Sequence, residues 1–376
     1  MSQRHKHPPL LILALDAGDV NFIEQWINDG SLPTIAALRQ RGCWGRVTGP
    51  ESVSPDFGIW TSLLSGVPLH QHGYYYMRQL TPGSYDLRIF THLDTEVSPF
   101  WSYLRGTTTS VAIFDPPQVD LVPGLRGIQL TGWGSRYIPQ ITVKPTAEPP
   151  GLAPEARKVF GKEVRIGDYS GNNLADDLRA YHRLLDNIDR KSKLVRHFLS
   201  GKHYDLIVIG LFEAHTAAHR FWDYSPELRG VTGPVEGTGL EDAIRTVYRA
   251  LDRELERLFE ILPQDTTSVL LSCYGMEGMY PTTGLIEDFC HRLGYQAKPT
   301  GAGPADGSRS PMDLVRRLIP QAWRTALSHH LPPAVQERLL ADHFRNSTDW
   351  SKTTAFSIPS LYTSFMRVNL RDREPR

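Results

Sequence analysis

The run Leu206-Ile207-Val208-Ile209-Gly210-Leu211 leads almost directly into Glu213-Ala214-His215-Thr216-Ala217-Ala218-His219-Arg220-Phe221-Trp222, and the reading of the whole chain turns on this stretch. An unbroken apolar run of this length has the pattern of a strand covered on both faces. Two histidines four residues apart share one face of a helix, so both imidazoles could reach one metal ion. Taken alone the pair is a weak signal. With 14 His in 376 residues, chance alone gives about 0.5 such pairs, and taken alone a surface or core-edge pair is the simpler reading.

The weight comes from the same punctuation elsewhere. Leu10-Leu11-Ile12-Leu13-Ala14-Leu15 is a second apolar run, stopped by Asp16-Ala17-Gly18-Asp19. Ser268-Val269-Leu270-Leu271 is a third, ending at Ser272-Cys273-Tyr274-Gly275-Met276. Ser110–Phe114 and Gly127–Leu130 are further strand candidates. Between the runs lie helical patterns: Phe22, Ile23, Trp26 and Ile27 closed by Gly30, then Leu32–Leu38 with Pro33 in its first turn, Ala175–Leu199 and Leu240–Leu262. Strands alternating with helices predict an α/β fold around a mostly parallel sheet. Open sheets of this kind take ligands beyond the carboxyl ends of their strands. Asp16 therefore has two readings, a site carboxylate or the cap of the next helix.

Ser52-Val53-Ser54-Pro55-Asp56 before the apolar segment Phe57–Leu64, with Ser65-Gly66 after it, reads as a capped helix whose N-terminus favours an anion such as phosphate. Toward the end, Pro299–Pro311 reads as a loop and Pro320–Arg345 as a helical hairpin broken at Leu331-Pro332-Pro333. Thr353–Ile358 and Phe365–Leu370 read as closing strands. No internal repeat is present.

Composition narrows the function classes. The chain is 40% apolar and 22% charged, enough for a sizeable core. The formal net charge is zero and no basic run suggests a nucleic-acid surface. Cys43, Cys273 and Cys290 are odd in number and far apart, which points to a reducing, cytoplasmic setting. The six-residue apolar run behind the basic Met1–His7 is too short for a signal core or a membrane span, so no membrane partner is expected.

In this order the segments resemble the type I phosphodiesterase/nucleotide pyrophosphatase family of the alkaline phosphatase superfamily. The resemblance rests on Leu15-Asp16-Ala17-Gly18 with Gly30-Ser31-Leu32-Pro33, and on Trp60–Gly66 with His72-Gly73. It rests also on Glu213-Ala214-His215 with His219-Arg220-Phe221-Trp222, on Ser272 with Gly275-Met276, and on Asp349–Phe356 with Asn369-Leu370 and Arg373-Glu374-Pro375. It implies an alkaline-phosphatase-like α/β domain over 8–376, its mostly parallel central sheet flanked by helices on both faces, with insertions, among them a helical one at 285–348. It implies two divalent cations, often zinc, and a hydroxyl nucleophile acting on a small phosphate ester. Such cations clamp the attacking and leaving oxygens of an in-line displacement. Carried over by position, Asp16 matches a ligand of one cation, and His215 and His219 serve the other, with Glu213 a candidate third ligand.

Four departures accompany it. The family's Ser-Asp-His-Gly-Met becomes Ser272-Cys273-Tyr274-Gly275-Met276, so a carboxylate and an imidazole give way to a thiol and a phenol. A thiolate can bind zinc, and Cys273 and Tyr274 read otherwise as packing residues. Counting from Trp60 puts Asp56 at the nucleophile's position, whereas Ser54 is the chemical choice and Thr61 a weaker one. His215 stands where the family usually has Asp, which removes a charge. The family's last metal-binding His follows an Arg-Glu-Pro-Gly-like stretch, and here the sequence stops at Arg376; His329, His330 and His343 come earlier and read as helix-surface residues. The expectation is a metal-dependent phosphate-ester hydrolase with one or two bound ions. The alternative is a member that keeps the fold and uses the old pocket for binding.

Overall fold

The structure is a computed structural model; it describes residues 7–48, 57–134, 144–168, 173–226, 228, 237–278, 284–299, 331–360 and 365–375. The strands are β1 (Leu10–Leu15), β2 (Arg78–Leu80), β3 (Leu87–Ile89), β4 (Ser110–Phe114), β5 (Arg126–Thr131), β6 (Thr146–Glu148), β7 (Leu206–Leu211), β8 (Thr267–Leu271), β9 (Ala355–Ile358) and β10 (Phe365–Val368). The helices are α1 (Val20–Asn28), α2 (Pro33–Arg41), α3 (Ile59–Ser65), α4 (Leu69–His72), α5 (Leu152–Phe160), α6 (Leu174–Leu199), α7 (Glu213–Phe221), α8 (Ala243–Phe259), α9 (Leu285–Arg292) and α10 (Pro333–Asn346). The chain divides into two compact units, Met1–Tyr75 with Thr91–Gly278 and Tyr76–Phe90 with Met279–Arg376.

The first unit holds a six-stranded sheet in the order β6-β5-β4-β7-β1-β8. All its pairings are parallel except that of β5 with β6. The apolar runs Leu10–Leu15 and Leu206–Leu211 form its middle, because backbone groups with no water beside them must bond to a neighbouring strand, whereas Ser268–Leu271 lies in β8 at the edge and is only partly buried. Successive residues of β1 serve opposite faces. Leu11, Leu13 and Leu15 enter one core with Ile188, Val247 and Leu251 of α6 and α8. Ile12 and Ala14 enter the other with Trp60, Leu64 and Trp101. Burying each large apolar side chain of this kind contributes roughly 1.5–3 kcal/mol. Helices cover both faces, as the alternating pattern requires.

Register decides where the polar turns meet. Leu15 pairs with Leu211 and Ala14 with Leu271, so β1, β7 and β8 end together. The helix after β1 is capped by Asp19, whose carboxylate accepts the backbone N–H groups of Asn21 and Phe22 at 2.9 and 3.1 Å. Asp16 is thereby left for another role. Leu32 precedes α2 without a side-chain cap; the buried Asp252 of α8 instead accepts the N–H groups of Thr34 and Ile35 at 3.0 and 2.8 Å. Gly58 at the start of α3 lies so close to the chain that an added Cβ would stand 1.8 Å from the Tyr74 carbonyl oxygen.

The second unit is smaller. Its β2 and β3 form an antiparallel hairpin, and β9 pairs with β10 antiparallel. The expected closing strands thus pair with each other and not with the central sheet. Leu80, Phe344, Phe356 and Ile358 form its core, beside Tyr85 stacked on Trp350 at 3.9 Å. The tail Arg373-Glu374-Pro375 is structural: the buried Glu374 carboxylate accepts Arg367 at 2.6 Å and the Leu370 N–H at 2.9 Å. His343 is exposed on α10. His329, His330 and most of the Pro299–Pro311 segment lie outside the described residues. No described helix is long and apolar enough to cross a membrane.

Candidate metal centre at the strand ends

Asp16 follows β1 directly and is 2% exposed. Ala17 behind it takes the left-handed conformation, φ 52°, which turns the chain sharply out of the strand. Three donors converge on the Asp16 carboxylate. The Trp60 indole N–H and the Tyr274 hydroxyl donate to Oδ1, each at 2.6 Å. His215 Nδ1 lies 3.0 Å from Oδ2. A buried carboxylate is costly unless such donors surround it. Asp19 fixes the loop that carries Tyr274, because its Oδ2 accepts the Met276 N–H at 3.2 Å.

His215 is wholly buried in α7, one turn before His219, and the two ring centroids are 4.7 Å apart. With Nδ1–H directed at Asp16, the His215 Nε2 carries the lone pair. That atom is buried and has no hydrogen-bond partner. Asp168 joins the pair: ligand atoms of Asp168, His215 and His219 all lie within 4.8 Å of one another. α7 itself holds Asp168 in place. Thr216 donates to Asp168 Oδ1 at 3.1 Å, and Arg220, one turn on, donates to the Gly167 carbonyl at 3.1 Å. Two imidazoles and a carboxylate are a donor set that suits zinc and related divalent ions. A carboxylate bonded to the far nitrogen of a ligating His is the usual device for fixing its tautomer. The residues therefore fit a cation that Asp168, His215 and His219 would hold, with Asp16 behind His215.

The chain belongs to the type I phosphodiesterase / nucleotide pyrophosphatase family. The family model matches residues 10–312. No curated protein matches the chain. Among solved structures it is similar to phosphonoacetate hydrolase from Sinorhizobium meliloti 1021. In complex with phosphonoformate that enzyme shows 15% identity and a TM-score of 0.44, over 83% of this chain and 73% of that one. In complex with phosphonoacetate the figures are 13% and 0.46, over the same shares.

For a member of this family the remaining candidates fall in distinct places. Glu213 opens α7 but does not join the group of three. Its carboxylate accepts Asn187 at 3.1 Å and the Phe212 N–H at 3.0 Å, and the Lys191 ammonium is 3.7 Å away. Lys191 in turn lies 3.9 Å from Asp115, so Glu213 belongs to a buried charge cluster under the start of α7. Cys273 packs beside the second core, and burial together with the Asp16 charge pushes its thiol up to about 12. Tyr274 serves Asp16. Ser54 and Asp56 lie outside the described residues. Thr61 is the residue after Trp60, in the first turn of α3. Asp168 was not anticipated from the sequence. It precedes His215 by dozens of residues and no spacing rule links the two; a lone Gly-Asp after Arg165-Ile166 carries no signal of its own.

Proposed function

We propose that this family member hydrolyses phosphate esters with a divalent cation, zinc the favoured ion, held by Asp168, His215 and His219. The observation that carries the reading is the partnerless, fully buried Nε2 of His215 beside two further ligand atoms. When bound, the cation would polarise a phosphoryl oxygen and lower the cost of developing charge. The chain's own residues supply the rest. Asp16 holds His215 in one tautomer and orientation, and we assign it that role in preference to ligation of a second ion, because Trp60, Tyr274 and His215 already address its oxygens. Trp60 and Tyr274 keep that carboxylate in place and fill the space around it. Ser54 is the proposed nucleophile, preceding α3, with Asp56 the alternative at the counted position. The substrate is a small phosphate mono- or diester. The free cysteines support a reducing, cytoplasmic setting.

A second reading has its own observation. Among the described residues, Cys273 and Tyr274 stand on the β8 side where the family has a carboxylate and an imidazole, which suits a member that binds a phosphate ester without turning it over. Elemental analysis of the purified protein, with hydrolysis of bis-p-nitrophenyl phosphate and p-nitrophenyl phosphate, separates the two. The hydrolase reading expects about one tightly bound zinc or manganese per chain, metal-dependent turnover, and loss of both in His219→Ala and Asp168→Asn. A metal-loaded protein with no turnover on any ester favours the binding reading; a protein that takes up no metal sinks the proposed centre.

A further inference from the structure

We propose that the open edge of β8 takes up an extended segment of another polypeptide, which adds a strand to the central sheet and carries an acidic residue. β8 is the last strand of the six and pairs only with β1. The Thr267 N–H donates to the Pro9 carbonyl at 2.8 Å, so Thr267, Val269 and Leu271 turn their backbone groups toward β1. By the two-residue period of a strand, Ser268 and Leu270 turn theirs outward. Among the described residues nothing meets them there. A free edge invites pairing, and folded proteins blunt it with short strands, charges or proline. The other edge is blunted in this way, since β6 is only Thr146–Glu148 and Pro149 follows it. β8 is longer, Thr267-Ser268-Val269-Leu270-Leu271, and has no charge and no proline.

A groove lies along this edge. Its volume is about 630 Å³, within the ~300–1,000 Å³ of ligand pockets. β8 and the polar turn after it, residues 268–275, form one wall, and the irregular segment 42–48 forms the other. Residues 43–48 are exposed and make no backbone hydrogen bond among the described residues. Both walls thus offer main-chain groups, which suits a polypeptide backbone better than a small apolar molecule. Val20, Ile23, Ile35 and Leu38 of α1 and α2 supply an apolar floor. An extended guest presents every second side chain to that floor, so its alternate residues are apolar. The rim decides the charge. Arg39 and Arg46 border the groove, and no carboxylate does. Arg46 is engaged by Glu24 at 2.6 Å. Arg39 is stacked over Trp44 at 4.8 Å and has no carboxylate partner among the described residues. An acidic side chain at the end of the guest would meet it.

Fluorescence anisotropy tests the proposal, with the full chain and a labelled hexapeptide that alternates valine and threonine and ends in glutamate. The expected result is saturable one-to-one binding in the high micromolar range, the scale of a short strand held mainly by its backbone. Ser268→Pro removes one outward N–H and spares the ladder to β1, because proline is tolerated on an edge strand. It should weaken binding by about tenfold, the loss of one well-placed hydrogen bond. Ser268→Ala keeps the N–H and should bind as the native chain does. Of two peptides N-methylated at the valines or at the threonines, at least one should bind about tenfold more weakly. A peptide ending in lysine should bind about threefold more weakly, the scale of an exposed ion pair. No saturable binding, equal affinity in Ser268→Pro, or unchanged binding of both N-methylated peptides overturns the proposal. Equal affinity of the lysine-ended peptide overturns the acidic guest. Saturable binding of sodium octanoate with none of the peptide overturns the proposal too, since the groove would then take a small amphiphile. If Ser268→Pro does not fold, the N-methylated peptides decide the matter.

Discussion

On the α7 side of the strand edge, His215 presents a buried nitrogen with no partner, with His219 and Asp168 beside it. On the β8 side, Asp16 receives a phenol, an indole and an imidazole, and the neighbouring Cys273 thiol is held protonated by burial and by that same carboxylate. Both halves stand at the ends of parallel strands and both are buried. They differ in how their hydrogen bonds are accounted for. A half whose polar atoms are met by protein donors needs nothing further, whereas an orphaned buried nitrogen has a lone pair free for a further partner. Under the proposed function, cation binding is therefore expected on the α7 side.

The sharpest way to break this contrast is to restore the replaced residues. Cys273→Asp combined with Tyr274→His should raise the bound metal from one to two ions per chain. Ester hydrolysis should then rise by about 100-fold or more, since each ion contributes several kcal/mol to charge stabilisation. Native protein that already carries two ions, or a double variant that loses a robust native activity, would instead make Cys273 and Tyr274 functional replacements.

Asp16→Asn probes the link between the halves. It keeps the size of the side chain and removes the charge behind His215. Metal affinity, measured by competition with a chromophoric chelator, should fall by about 10- to 100-fold, as it does when the support of a ligating histidine is weakened. An unchanged affinity would mean that α7 alone fixes His215.

Tyr274→Phe tests whether the β8 side is closed as described. The hydroxyl it removes donates to a buried carboxylate, so urea unfolding should show a loss of about 1.5–3 kcal/mol. No loss would mean that Trp60 and His215 suffice for Asp16.

The smallest effect concerns His72, a buried histidine whose two nitrogens both have partners: Ser62 Oγ at 2.7 Å and the Tyr74 N–H at 3.1 Å. Burial lowers its pKa. The unfolded chain therefore takes up the proton more readily, and the stability it contributes is present above about pH 6.5 and declines as the pH falls through the lowered value. Comparing urea midpoints of the native chain and His72→Gln between pH 7.5 and 5.5 should show a flatter dependence in the variant, before and after chelation alike. A dependence on chelation would place a metal at His72 as well.

Much of the architecture is legible in the linear pattern. The apolar runs at Leu10–Leu15 and Leu206–Leu211 can be satisfied only inside a sheet, and the helical spacing between such runs makes the sheet parallel. The His215–His219 spacing likewise fixes two imidazoles on one helical face without reference to anything distant. These are local periodicities, and local periodicity is what a sequence records. The tertiary structure decided which carboxylate does what. Asp16 and Asp19 look alike in the same turn, yet one caps α1 and the other backs His215, because only packing brings Trp60 and Tyr274 to the first of them. Asp168 reaches the histidines because Thr216 and Arg220 grip its segment from α7, a contact between residues with no periodic relation. The strands Ala355–Ile358 and Phe365–Val368 show the same limit: their composition makes them strands, but their partner is chosen by where the chain runs, and they pair with each other. Residue type and spacing thus set the kind of element and the candidate ligands it offers, while long-range packing brought Asp168 to the two histidines and left one buried nitrogen without a partner.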